Sequence, residues 1–163
     1  MTHTHDVSLP AWPDDLEAPA PEFVAGQLAA FWTTLARLPD LLDRDERLLA
    51  ADLLHDLRAV VIDLMLALNG IRRPPETVNL NRYLSANQRA ALERTLTAPS
   101  PAGESWIGQA VALTVIYRWY APQLVAHFDL GYPQAQEDAA WARLRAGIFE
   151  WPAAITSDDT PRS

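Results

Sequence analysis

Residues 43–70 read DRDERLLAADLLHDLRAVVIDLMLALNG, and this stretch decides the fold. Asp43 and Glu46 have the D-x-x-E arrangement of a helix start, where a side-chain acceptor meets an orphan amide and an acid faces the positive end of the helix dipole. The spacing predicts a long helix from Arg44 to Asn69, closed by Gly70, the residue type that most readily takes the left-handed conformation there. Its latter half, VVIDLMLAL, is apolar almost all round, which marks it as the central helix of a bundle. Arg58 and Asp63 interrupt the apolar run, leaving it short of the roughly 18 clean residues of a membrane span.

On the N-terminal side, Phe23, Val24, Leu28, Phe31, Leu35 and Leu38 follow the three-four spacing of a first helix beginning at Pro21, with Pro39 expected to end it. On the C-terminal side, Pro74 and Pro75 mark a turn, and ETVNLNRYL reads as a short helical turn. Ser85 and Gln88 form a capping box for a helix running to about Leu96, with Leu92 and Leu96 inward. A loop over Pro99–Gly103 leads to a fourth helix reaching about Phe128, whose wide apolar face includes Trp106, Tyr117, Trp119 and Tyr120 and which Pro122 should kink. A last helix, about 134 to 150, carries Ala140, Trp141, Leu144, Ile148 and Phe149, and Pro152 stops it.

Strand-like alternation and hairpin dipeptides are missing throughout. The expected fold is therefore all-α, an antiparallel bundle of four longer helices plus one shorter one. Residues 1–20, with three prolines and no sustained period, read as an extended arm that Trp12 and Leu16 pin to the body. The bundle spans 21–152, and 153–163 form a disordered polar tail.

The chain has 163 residues, about one domain's worth, and no cysteine, so thiol nucleophiles, disulfides and cysteine-ligated metals are excluded. Its thirteen basic residues are all arginine, which removes lysine-dependent phosphate loops and Schiff-base chemistry. The sequence opening MTHTHDVSLP lacks a positive n-region and a long apolar stretch, so no secretory leader is read there and a cytoplasmic protein is expected. His3 and His5 on that arm are read as incidental. A net charge of −8 opposes non-specific binding to DNA or to anionic membranes.

The charge is uneven. Arg72, Arg73, Arg82, Arg89 and Arg94 face only Glu76 and Glu93 in their segment, a basic island on an acidic molecule. Guanidinium forks match planar anions, so the island is a candidate seat for a phosphate, a nucleotide or an acidic partner. The simpler reading is a solvated helix surface with local ion pairs.

Phosphate-loop, dinucleotide, serine-hydrolase and zincin motifs are all absent, so a chemical site has to come from scattered residues. In the long helix, Asp52, Asp56 and Asp63 share one stripe beside His55 and Arg58, either lining a cleft or forming its solvent side. His55 and His127 together would suit a bundle-core metal site and resemble DinB-type metal bundles, which carry a further histidine that this chain lacks. Arg118 and His127 resemble the arginine-histidine pair of HEPN ribonucleases, although eight residues intervene and Trp119 stands where that family has a polar residue. The cluster YRWYAP, residues 117–122, is either a stacking surface for a base or sugar or part of the core.

Over residues 23–150 the marks FWTTL, DRDERLLAADLLHDLR, LALNG, the RPP turn, LNRYLSANQRAALERTL and YRWYAPQLVAHFDLGYP are similar to the helical region that follows the catalytic domain in aminoglycoside-modifying bacterial nucleotidyltransferases. The resemblance implies a bundle that closes over nucleotide and acceptor and contributes substrate contacts. Carried over by position, Arg58, Asn69, Asn81, Arg82 and Tyr83 would lie on the acceptor side, joined by Arg72 and Arg73 from the basic island. The glycine-serine turn and D-x-D metal pair of that family's catalytic domain are missing here; Asp14-Asp15 and Asp158-Asp159 are adjacent pairs that do not replace them. The resemblance thus implies a non-catalytic binding module without a cofactor, working with a separately encoded catalytic chain or as a self-associating dimer.

Overall fold

A computed structural model describes residues 16–74, 77, 79–96, 103–149, 151–153 and 155, with residues 103–105 as backbone alone. His3, His5, Trp12, most of the expected 99–103 loop and the tail beyond Ile155 lie outside the described residues. The helices are α1 (Pro21–Leu35), α2 (Leu38–Asp43), α3 (Arg47–Leu68), α4 (Leu80–Tyr83), α5 (Ala86–Arg94), α6 (Gly103–Phe128) and α7 (Gln134–Gly147). The chain is an all-α bundle of helices. Among the described residues, the one β feature is an isolated antiparallel bridge between Glu17 and Arg72.

Local chemistry explains most helix ends. Ser85 accepts from the Gln88 backbone amide while the Gln88 side chain accepts from the Ser85 amide, the reciprocal box expected at the start of α5. Gly70 has φ +81°, the left-handed geometry that closes the central helix at little steric cost. Pro39 behaves differently from expectation. α1 stops at Leu35, and Pro39 sits in the first turn of α2, where a missing N–H breaks no helical bond. The D-x-x-E start is also displaced: Asp43 ends α2, Asp45 is left-handed at φ 55°, and α3 begins at Arg47 after Glu46 with no side-chain cap.

The core confirms the central role of α3. Leu54, Leu57, Leu64, Met65 and Leu66 are wholly buried, each contributing about 1.5–3 kcal/mol by removal from water. Its main partners are α6 and α1. Phe31 and Trp32 of α1 meet Tyr117 of α6, with Phe31 stacked at 4.2 Å and Trp32 edge-on at 5.2 Å. The Tyr117 hydroxyl donates to the Leu28 carbonyl at 3.0 Å, so this ring cluster carries its polar atom satisfied.

Residue pairs set the helix directions. Glu17, ahead of α1, meets Arg72, after α3, so these helices are antiparallel. Arg118 of α6 meets Glu137 of α7 across a short turn, with the same consequence. α3 and α6 instead run the same way: Arg58 meets Gln109 early in α6, while Asn69 at the end of α3 bonds Gln88, which lies beside Tyr120 farther along α6. The α4–α5 crossover carries the chain back before α6 begins, which permits a parallel central pair within the bundle, where an antiparallel order is expected.

Further differences concern exposure. Leu96, Trp119 and Phe149, expected inward, are exposed, and Phe149 is fully so. In the arm, Leu16 is exposed rather than anchoring, and among the described residues the attachment comes from buried Pro19 and the Glu17–Arg72 bridge. At the other end, Trp151 and Ile155 are buried, so the packed body continues past the expected boundary at 152.

Candidate functional site

The end of α3, α4 and the start of α5 bring together several of the residues singled out in the sequence. Asn69 donates from its amide nitrogen to the Tyr83 carbonyl at 2.9 Å and to the Gln88 side-chain oxygen at 2.9 Å, and Gln88 donates back at 3.3 Å. Gln88 is buried. Because it also completes the Ser85 cap, one side chain joins the cap of α5 to the end of the central helix. Tyr83 is buried under the same turn. Next to it, Asn81 and Arg82 are exposed and, with Asn79 and Leu80, line an open depression of about 240 Å³.

Tyr120 comes from α6 to the same place. Burial pushes its hydroxyl pKa up, and the nearby Gln88 side chain acts in the opposite direction. The outer polar rim therefore rests on a satisfied inner network, the arrangement that holds surface side chains in position.

The remaining members of the predicted set lie elsewhere or are engaged. Arg73 pairs with Asp63 at 2.6 Å, both partly buried, and so ties the chain after α3 back to that helix. Arg72 lies 3.8 Å from Glu17 and its guanidinium covers the Phe23 ring at 4.7 Å. Arg58 is well back along α3. It donates to the Thr95 hydroxyl at 3.0 Å, the Thr95 carbonyl at 3.2 Å and the Gln109 side-chain oxygen at 3.2 Å. Burial lowers its pKa from the ordinary guanidinium value. Arg58 thus crosses the C-terminal end of α5, where a cation and its donors satisfy last-turn carbonyls.

A second polar cluster lies between α6 and α7. Arg118 bonds Glu137 and donates to the Ile155 carbonyl at 2.9 Å, while the Trp141 indole donates to Glu137 at 3.1 Å. Glu137 is buried. Burial, and secondarily the Glu137 carboxylate, push the Tyr132 pKa well above the ordinary phenol value. His127 is exposed with its ring edge-on to Phe128, and Arg118 is half-buried and engaged with Glu137. His55, Asp52 and Asp56 are all exposed on α3. Among the described residues, no three histidines or carboxylates are grouped so as to hold a metal ion.

Sequence reasoning singled out neither the Asn69–Gln88 bond nor Glu137. Gln88 was legible as a cap residue, but its second bond joins segments that are distant in sequence. Glu137 did carry a signal: it continues the stripe of Trp141, Leu144 and Ile148 by helical spacing, and an acid on an apolar stripe calls for a buried partner.

Compared with models of protein families, with curated proteins and with solved structures, the chain shows no significant match. Among the described residues, no helix is long and apolar enough to cross a membrane.

Proposed function

We propose that this chain is a non-catalytic helical binding module, comparable in role to the accessory substrate-binding bundle of aminoglycoside-type nucleotidyltransferases, and that its ligand-facing end is formed by α4. The observation that carries the reading is the Asn69–Tyr83–Gln88 network beneath the depression lined by Asn81 and Arg82. An amide and a guanidinium on a braced turn suit a small molecule with phosphate or several hydroxyl groups. The resemblance adds the partner: a catalytic chain encoded separately, or a second copy, would supply what the bundle lacks.

A thermal-shift titration of the purified chain with ATP and with an aminoglycoside tests this. A ligand at about one hundred times its dissociation constant adds about 2.7 kcal/mol of apparent stability. The expected result is a shift that Asn81→Ala reduces without lowering the ligand-free melting temperature and that Arg82→Ala reduces as well. No shift with either ligand, or one that both substitutions leave intact, overturns the assignment to α4.

A further inference from the structure

α6 has an outer face that neither the core nor the two polar clusters use. Its buried side, Trp106, Ala110, Leu113, Tyr117, Ala121 and Leu124, is turned to the core, where α3 and α1 lie. By the 3.6-residue turn, the side opposite is Gly108, Ala112, Val115, Trp119, Pro122 and Ala126. Gly108, Trp119, Pro122 and Ala126 are exposed, Trp119 to 59%, while Ala112 and Val115 are partly covered. Between Trp106 and Ala126 the sequence holds one charged residue, Arg118, and Glu137 engages it. Gln123, beside the stripe, donates its amide to the Trp119 carbonyl at 2.8 Å.

With 21% charged residues and a net charge of −8, this chain leaves an outward face of about five turns without a charge, centred on an exposed tryptophan. Depletion of charge around an aromatic residue is the composition of an interface centre. The spacing selects the occupant. The six positions step by four, three, four, three and four, the seam of a helix pair, and the series reads the same from either end. An antiparallel second copy therefore sets Trp119 over Val115 of the partner subunit, Ala112 against Pro122 of the partner subunit and Gly108 against Ala126 of the partner subunit. Each contact occurs twice, as a two-fold axis requires. Two acidic molecules repel one another, and along this seam they meet with no like charges opposed. The outer half of a helix about 10–12 Å across and about 27 Å long offers about 450 Å². Two copies then bury about 900 Å², against about 1,600 Å² in a standard interface, which fits a weak, reversible dimer.

We propose that the outer face of α6 is the interface of a two-fold symmetric dimer, with α6 packed antiparallel against α6 of a second copy. The face shares no residue with the depression at α4 and needs nothing bound there, so it stands or falls independently of the ligand reading.

Sedimentation equilibrium of the full chain tests this. A monomer–dimer equilibrium is expected, with a dissociation constant on the order of 10–100 µM that falls as salt screens the net repulsion. Trp119→Glu should weaken it at least about tenfold while leaving the melting temperature of the monomer unchanged, because the residue is exposed and the charge enters the centre of the seam. The absence of native cysteine allows the direction to be read by cross-linking. Gly108→Cys and Ala126→Cys fall at exposed positions; mixed together they should oxidise to the 108–126 heterodimer, and neither should cross-link alone. A chain that stays monomeric up to about ten times that constant overturns the proposal. So does a dimer that Trp119→Glu leaves intact, or one in which like positions cross-link and 108 does not reach 126. A monomer that instead sediments with phosphatidylcholine vesicles assigns the face to a lipid surface and overturns the second copy.

Discussion

Arg58 closes the end of α5 through Thr95, donating to both its hydroxyl and its carbonyl while a third bond reaches Gln109 on α6. A residue that resemblance places at a ligand thus joins three helices. Arg58→Ala should lower stability by about 2 kcal/mol, since it strands partly buried acceptors and removes a cation from a helix C-terminus. Arg58→Lys should recover little of this, because an ammonium cannot reproduce the fork. Urea denaturation measures both. Unchanged or increased stability in Arg58→Ala would return the guanidinium to ligand binding.

Tyr117 and Tyr132 set the alkaline limit. Burial raises both hydroxyl pKa values far above the ordinary value near 10. The folded state then retains protons that the unfolded chain gives up, so stability is complete below about pH 10 and falls as pH rises beyond it. Absorbance at the tyrosinate band should show these two phenols ionising only with unfolding. Tyr117→Phe, which also removes the hydroxyl's bond to the Leu28 carbonyl, should lower stability at neutral pH by about 1 kcal/mol and flatten the alkaline decline.

Glu137, paired with Arg118, is the most buried carboxylate among the ion pairs of the described residues. Arg118→Ala leaves a buried carboxylate with no cation beside it, held by the Trp141 indole and the Tyr132 hydroxyl, and the expected loss is about 3 kcal/mol. Replacing both partners, as Arg118→Met with Glu137→Leu, should be less damaging than Arg118→Ala alone. A calorimetric comparison of the variants checks the order. If the double variant is the least stable, polar bonding at this position outweighs desolvation.

Gly147 is needed for a close approach. A Cβ there would stand 2.5 Å from the Pro39 Cβ, so any side chain drives the end of α7 away from α2. Gly147→Ala is expected to lower stability by about 1–3 kcal/mol despite the better helix propensity of alanine. Thermal melting tests this, and a stabilised variant would show that the α2–α7 contact gives way cheaply. The Arg143–Asp40 ion pair at 2.5 Å spans the same contact and is exposed, so Asp40→Asn should change stability by less than about 1 kcal/mol.

The sequence alone was enough for the all-α class, the central position of α3, the capping box at Ser85, the left-handed Gly70 and the stop of α6 at Phe128. Each rests on neighbours within a few turns: apolar periodicity, a side chain reaching an amide three residues away, or a backbone free of Cβ clash. It also placed the short turn at α4, because proline and the following cap leave room for nothing longer. The packed arrangement was beyond such reasoning. Whether Pro39 ends one helix or starts another, whether α3 and α6 run together, and which acceptors Arg58, Asn69 and Arg118 meet all depend on segments separated by tens of residues. Partners of that kind are chosen by burial, because a polar group removed from water must find a donor or acceptor wherever the packed helices present one.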